Sequence, residues 1–266
     1  MKHIFSVITL IFITLTYQTN FNISKTSIKK NAFSPTLYDQ GLIITSKNTN
    51  ENFYSLYYTK IINKEKLDKL IKLKIKDRNK YFHISNGIYV PLSNEFYFTA
   101  TNKLGKLDLY KCQIKDLKLI KPEMIKLSKS YNSVGHSTFS KDALKMIISS
   151  GKNDDIDLNL FTRNDYSSEW EYKRNLSELN TKDNELHSTL VNDSLLYFSR
   201  WDKKKKQMNL YYSILRSDNY WSEPKIHEQL NSTSDDFGIV FLNEKSGYFT
   251  SNRDGNDNIY YFENNK

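Results

Sequence analysis

The sequence predicts an all-β fold, a five-bladed β-propeller of four-stranded antiparallel blades that is closed by an N-terminal strand. Three observations lead to this prediction: a repeat of about 50 residues, a composition rich in aromatic residues, and no helical periodicity. The repeat is the strongest of the three, because independent markers keep the same period along the chain.

The first marker is an apolar strand that ends in a small hydroxyl residue. Its members are separated by 54, 50, 50 and 51 residues and are Thr45, Thr99, Ser149, Ser199 and Thr250. A second marker, an aromatic residue in the following strand, has separations of 53, 51, 50 and 49 and comprises Tyr57, Tyr110, Phe161, Tyr211 and Tyr260. A weaker third marker opens a strand before the first, at Gly135, Leu186 and Phe237. With a further strand after the second marker, each repeat reads as four short strands joined by turns.

The composition agrees with a stack of sheets. Of the 266 residues, 38% are hydrophobic and 14% aromatic, and with only 8 Gly and 4 Pro the turns must rely mainly on Asn, Asp and Ser. A single four-stranded sheet leaves two faces uncovered, whereas copies placed around an axis cover each other. A radial arrangement is therefore expected.

Ring closure gives a sharper prediction. The last repeat ends after its third strand, near Phe262. Counting 22 residues back from Thr45, as Leu127 lies 22 residues before Ser149, gives Ile23, so residues 21–24 are predicted to complete the fifth blade. We expect residues 1–18 to be a signal peptide and residues 19–266 to form one domain, with repeats near 25–60, 61–112, 113–162, 163–213 and 214–266.

The N-terminus has the layout of an export signal. Lys2 and His3 precede an uncharged run from Ile4 to Leu15, which is shorter than the roughly 20 residues that a membrane-spanning helix needs. We expect cleavage and export to the periplasm or the medium, with a retained N-terminal anchor as the alternative. The single cysteine, Cys112, cannot form an internal disulfide. The mature chain is expected to be a monomer without a transmembrane segment.

The formal charge of +9 raises the question of nucleic-acid binding. Such binding requires basic residues interleaved with exposed aromatic residues on one face. Here the lysines are dispersed, and the aromatic residues are in phase with strand interiors. No nucleic-acid partner is therefore expected, and the charge indicates solvated loops or a preference for acidic surfaces.

Short motifs in the later repeats resemble a known family. The segment 248–260 contains the turn Ser251-Asn252-Arg253-Asp254-Gly255 and is similar to TolB-type, WD-repeat-like propeller repeats of exported bacterial proteins. The elements Phe139-Ser140-Lys141-Asp142 and Leu230-Asn231-Ser232, the latter followed by Asp235-Asp236, resemble propellers of Bacteroidota OmpA-associated or type IX secretion envelope proteins. The resemblance covers about residues 33–262 and implies the repeat architecture and a habit of binding partners.

Candidate functional residues cluster around the predicted innermost strands. His136 and His187 occupy one repeat position, and Glu185, Asp235 and Asp236 precede innermost strands, so these five residues are candidates for the rim or channel. We expect none to be catalytic, since no nucleophile elbow is present. Inter-blade hydrogen bonding is the preferred interpretation of the histidines. The alternative is a glycoside hydrolase with Glu185 and Asp236 as funnel carboxylates.

Two turns have the alternating oxygen ligands of calcium loops, Asp155-x-Asp157-x-Asn159 and Asp254-x-Asn256-x-Asn258. Both lack the glycine and the distal glutamate of an EF-hand, so we interpret them as turn-forming residues and expect no metal and no cofactor. The function predicted from the sequence is that of an exported, non-catalytic scaffold that binds an envelope protein or a polysaccharide. A carbohydrate-active hydrolase is the alternative.

Overall fold

A computed structural model of the chain describes residues 21–29, 31–102, 104–127, 131, 133–152 and 155–265. The expected signal peptide, residues 1–18, lies outside these residues. The described residues form five sheets, four with four strands and one with five. Among them, no helix has the length and apolar character needed to cross a membrane.

The strands are numbered along the chain. The first strand, β1 (Phe21–Lys25), belongs to the last blade. The first blade contains β2 (Ala32–Tyr38), β3 (Gly41–Ser46), β4 (Ser55–Lys60) and β5 (Ile71–Lys72). The second contains β6 (Lys74–Ile75), β7 (Ile84–Val90), β8 (Glu95–Thr101), β9 (Leu107–Lys115) and β10 (Lys118–Met124), with a 3-10 helix at Arg78–Lys80.

The third blade contains β11 (Ser133–Phe139), β12 (Lys145–Lys152), β13 (Asp155–Thr162) and β14 (Glu171–Asn175). The fourth contains β15 (Asn184–Leu190), β16 (Leu195–Asp202), β17 (Gln207–Ile214) and β18 (Lys225–Ile226). The fifth contains β19 (Asp236–Asn243), β20 (Ser246–Ser251) and β21 (Asn258–Asn264), and β1 completes it. Apart from the short parallel pair β6 and β10, neighbouring strands are antiparallel.

The blades form a closed ring. The innermost strands β2, β7, β11, β15 and β19 contact one another in circular order, and β19 contacts β2. We call the face with the hairpins between the first and second strands of each blade the lower face. The upper face carries the hairpins between second and third strands and the connections between blades. The predicted five-bladed propeller is confirmed.

The N-terminal strand closes the ring as predicted. β1 pairs antiparallel with β21, and Ile23 lies opposite Phe262. Phe21 and Ile23 pack against the buried cluster that contains Phe262. Because the first and last segments of the ring share one sheet, the fifth blade fastens the propeller.

The hydroxyl marker has a clear structural role. Each innermost strand contains a β-bulge, and at each bulge one residue has a positive φ; these residues are Ser34, Asn86, His136, His187 and Gly238. The backbone N–H of Ser34 donates to Thr250 Oγ1 at 2.9 Å, and that of Asn86 donates to Thr45 Oγ1 at 3.1 Å. A bulge interrupts the strand ladder and leaves an amide to be satisfied. The backbone N–H of Gly238 donates to Ser199 Oγ at 3.4 Å. At these three blade boundaries the marker hydroxyl of one blade satisfies the bulge amide of the next.

Aromatic residues fill the spaces between blades. At the closing boundary, Leu42 and Tyr57 of the first blade share a buried cluster with Tyr248, Ile259 and Tyr261 of the fifth. All five residues are at most 4% exposed. Each aromatic side chain buries a large apolar surface. The repeats are rich in aromatic residues because these side chains fill the spaces between blades.

Candidate functional site

The axis of the ring contains a narrow throat and a wider funnel. The throat is a small cavity of about 40 Å³ that is lined by all five bulge residues. Below it, a funnel of about 450 Å³ is lined by the second halves of the five innermost strands and by the hairpins that follow them. The funnel lies on the lower face. Its volume falls in the range of roughly 300–1,000 Å³ that is typical of ligand pockets.

The funnel wall is mainly apolar. It includes Pro35, Ile88, Pro91, Leu190, Val191, Ile239 and Val240. Two leucines at its rim are unusually exposed, Leu37 at 39% and Leu92 at 59%. Lys141 and Asp193 are the charged residues of the wall, and the carboxylate of Asp193 accepts a hydrogen bond from the Lys141 backbone N–H at 2.9 Å. Apolar pockets with a few polar groups are typical of binding sites and active sites alike.

The structure brings the two candidate histidines together in the throat. The ring centroids of His136 and His187 lie 3.7 Å apart, and His187 Nδ1 lies 3.1 Å from Ser34 Oγ. Ser34 belongs to the first blade and His187 to the fourth, so this contact crosses the axis. Burial lowers the pKa of His136 to about 4 and, with the charge of His136, lowers the pKa of His187 well below its ordinary value. The pair is therefore neutral near pH 7 and narrows the channel between the two faces.

Glu185 does not face the channel. Its side chain is fully buried, accepts a hydrogen bond from Arg200 Nε at 2.8 Å, and accepts another from Thr181 Oγ1 at 2.8 Å. Burial raises the pKa of Glu185, although both partners favour the carboxylate. Glu185 lines neither the throat nor the funnel.

Asp236 repeats this arrangement one blade further on. It is fully buried, pairs with Arg253 Nη2 at 2.8 Å, and accepts a hydrogen bond from Ser232 Oγ at 2.7 Å. Asp235 has different partners and accepts hydrogen bonds from the Met208 backbone N–H at 2.8 Å and from Asn252 Nδ2 at 3.0 Å. Each carboxylate thus has its own partners, and the structure does not assemble the three around the funnel.

The calcium-like turns form hydrogen bonds of their own. Asp254 accepts from the Tyr260 hydroxyl at 2.6 Å, and Asn159 donates to Ser150 Oγ at 3.2 Å. Within the described residues, no three His, Cys, Asp or Glu side chains come together in a way that could hold a metal ion.

Sequence reasoning missed the funnel. Its residues come from the far halves of five strands that are about 50 residues apart in sequence and become neighbours only when the ring closes. The signal available in the sequence was a leucine near the end of an innermost strand or just after it, as at Leu37 in β2, Leu92 after β7 and Leu242 in β19.

Comparisons with known proteins agree with the fold. No protein-family model matches the chain, and no curated protein matches it in sequence. Among solved structures, the chain is similar to an endo-arabinase from Bacteroides thetaiotaomicron VPI-5482, at 11% identity and a TM-score of 0.61 over 90% of this chain and 97% of that one. It is also similar to a thermostable family-43 glycoside hydrolase, at 10% identity and a TM-score of 0.59 over 92% and 91% of the two chains.

A third similar structure is a TolB-like protein from Agrobacterium tumefaciens, at 12% identity and a TM-score of 0.53 over 87% of this chain and 76% of that one. The resemblance to TolB-type propellers that the repeats predicted is therefore confirmed at the level of the fold. At these identities the likeness shows the fold alone, which binding proteins and hydrolases share.

Proposed function

We propose that this protein is an exported, non-catalytic binding propeller that holds a protein partner of the cell envelope in the funnel on its lower face. The observation that carries the proposal is the apolar funnel with two exposed leucines at its rim. A polysaccharide would need a wall rich in hydrogen-bonding groups, whereas an apolar wall fits the side chains of a protein segment.

The position of the carboxylates supports a non-catalytic role. Acid and base catalysis on a glycosidic bond requires two carboxyl groups that flank the substrate. Glu185 and Asp236 are instead buried inside their blades, each paired with an arginine. The expected export supports an envelope location, because the apolar run from Ile4 to Leu15 has the layout of a signal peptide.

The test is capture of a partner from the native cell envelope by crosslinking, with the wild-type protein and two variants. Leu92→Glu places a charge at the funnel rim, and we expect it to reduce capture at least tenfold. Leu104→Glu is the matched control, because Leu104 is 93% exposed and lies in a hairpin of the upper face. Equal capture by the wild type and Leu92→Glu would refute the role of the funnel.

A glycoside hydrolase remains the alternative, supported by the fold likeness to the endo-arabinase and the family-43 enzyme. It is tested by incubation with a panel of polysaccharides that includes arabinan. We expect no release of reducing ends. Release that is abolished by both Glu185→Gln and Asp236→Asn would replace the binding proposal with the hydrolase.

A further inference from the structure

Arg78 differs from every other arginine of the chain. The other five each pair with a carboxylate, and these are Arg163, Arg174, Arg200, Arg216 and Arg253. Within the described residues Arg78 forms no ion pair. Its Nη2 donates to the backbone oxygens of Tyr54 and Phe82, both at 2.9 Å, and to Ser55 Oγ at 3.2 Å, and its Nη1 donates to the backbone oxygen of Tyr81. These neutral acceptors fix the guanidinium in place, and the carboxylate whose charge acts on it, Glu51, is not within ion-pair distance.

Arg78 lies in a groove on the upper face, on the side opposite the funnel. The groove has a volume of about 520 Å³ and is formed by the hairpin between β3 and β4 and by the connection from the first to the second blade. Three aromatic rings line it, those of Phe53, Tyr81 and Phe82. Phe53 and Phe82 meet edge to face with centroids 5.0 Å apart, and Phe53 is 38% exposed.

The remaining lining of the groove is polar and carries a net positive charge. Asn52 and Asn79 contribute exposed amides. Glu51 is already engaged by Lys72 Nζ at 2.6 Å, and although burial opposes it, this hydrogen bond helps to lower the pKa of Glu51 to about 2. The charge of Glu51 also acts on Arg78 and partly offsets the lowering of the Arg78 pKa by burial. One carboxylate therefore faces two cations, and the lining of the groove keeps a net positive charge.

These three features together fit one kind of ligand. The weakly positive C–H groups on the face of a sugar ring complement the negative π-face of an aromatic ring. Amides bind hydroxyl groups, and the guanidinium N–H groups that the internal acceptors leave free can donate to a carboxylate. The overall charge of +9 favours encounter with an acidic polymer. A neutral sugar would not compensate the positive charge of the groove, and an acidic peptide would not stack against its aromatic rings.

We propose that this groove binds a carboxylated sugar unit of an acidic polysaccharide, with the carboxylate at Arg78 and the ring against Phe53. The site is separate from the funnel and does not depend on a protein partner there. The protein would then hold an acidic glycan on its upper face and a protein on its lower face.

The test is isothermal titration of the full chain with a trisaccharide of galacturonic acid and with the methyl ester of that trisaccharide. We expect saturable binding of one acid trisaccharide per chain and at least tenfold weaker binding of the neutral ester. Arg78→Gln keeps hydrogen-bond donors for the backbone oxygens but removes the charge, and it should weaken binding at least tenfold. Phe53→Ser should weaken binding severalfold. Since Phe53 is exposed, that variant should fold even where Arg78→Gln does not.

Lys204→Gln is the control, because Lys204 is an exposed cation on the same face and outside the groove. It should bind as the wild type does, and so should Leu92→Glu, which separates this site from the funnel. Three results would overturn the proposal: equal affinity for acid and ester, equal loss in Lys204→Gln and Arg78→Gln, or no binding of the acid trisaccharide. Tighter binding of a poly-glutamate peptide that also requires Arg78 would assign the groove to an acidic protein instead.

Discussion

Removal of Arg200 should destabilise the protein through the charge that it leaves behind. Arg200 contacts Glu185 at 2.8 Å, donates to the Leu179 backbone oxygen at 2.8 Å, and lies 4.5 Å from the ring centroid of Tyr211. In Arg200→Met the side-chain volume is largely kept, but Glu185, which is fully buried, loses its counter-ion. The loss of one partner from a buried pair costs about 3–5 kcal/mol.

The chain itself supplies the compensating change. Glu185 lies opposite Arg200 in the strand ladder, and Arg200 directly follows the hydroxyl marker Ser199. At the same ladder position the first three blades have apolar residues, and these are Ala32, Ile84 and Val134. The double variant Glu185→Val with Arg200→Met places the valine of the third blade at this position, and because both charges are gone we expect it to regain most of the stability that the single variant loses.

The assay is urea unfolding followed by tryptophan fluorescence, at about pH 5 and about pH 7.5. The folded state of Glu185 has a raised pKa, so its contribution to stability is fully present below the unfolded pKa and is lost as the pH rises through the folded pKa. Without Arg200 the folded pKa rises further. The deficit of Arg200→Met should therefore be larger at the higher pH.

The control for this series is Arg216→Met, since Arg216 and Asp218 form a pair that is 54% and 52% exposed. Water and salt screen an exposed pair, so little change in stability is expected. The reasoning would be refuted by a deficit below about 1 kcal/mol in Arg200→Met at the higher pH, or by a double variant no more stable than the single one.

Two further predictions concern the axis. Thr250→Val removes the acceptor of the Ser34 backbone N–H, and the unsatisfied buried amide should lower the unfolding free energy by about 1–3 kcal/mol in urea titrations. Ser149→Ala is the control, because the Ser149 hydroxyl has no partner among the described residues, and it should change the unfolding free energy little. The folded pKa values of His136 and His187 are depressed, so their contribution to stability is present above about pH 6.5 and is lost as the pH falls toward 4. Replacement of both histidines by Asn should make the melting temperature nearly independent of pH across that interval. An unchanged dependence of the melting temperature on pH would contradict the assignment.

The repeat pattern was enough to predict the ring and its closure. The hydroxyl residues were found by their spacing because three blade boundaries require the same hydrogen-bond acceptor, at Thr45, Ser199 and Thr250. Positions that must supply the same hydrogen-bond acceptor are occupied by the same type of residue. The fourth strand of the last blade was located at Ile23 for the same reason, since a strand that completes a repeat must keep its phase.

The bulge positions were not recognisable as a set, although they recur as regularly. They are occupied by residues as different as Ser34, His136 and Gly238. What they share is a backbone conformation, and in three of these bulges the backbone amide forms the hydrogen bond to the preceding blade. The bulge position is therefore not marked by a shared residue type in the sequence.

The same distinction applies to the charged residues at the ends of the innermost strands. Glu185 and Asp236 stand at the upper ends of β15 and β19, and as charged residues they were conspicuous in the sequence. The structure shows that their charges are answered within their own blades by Arg200 and Arg253. A charge that is paired inside a blade is not exposed to a partner, whereas the groove at Arg78 carries a net positive charge and the apolar wall of the funnel is uncovered. Both proposed sites rest on that difference, which depends on neighbours that only the closed ring brings together.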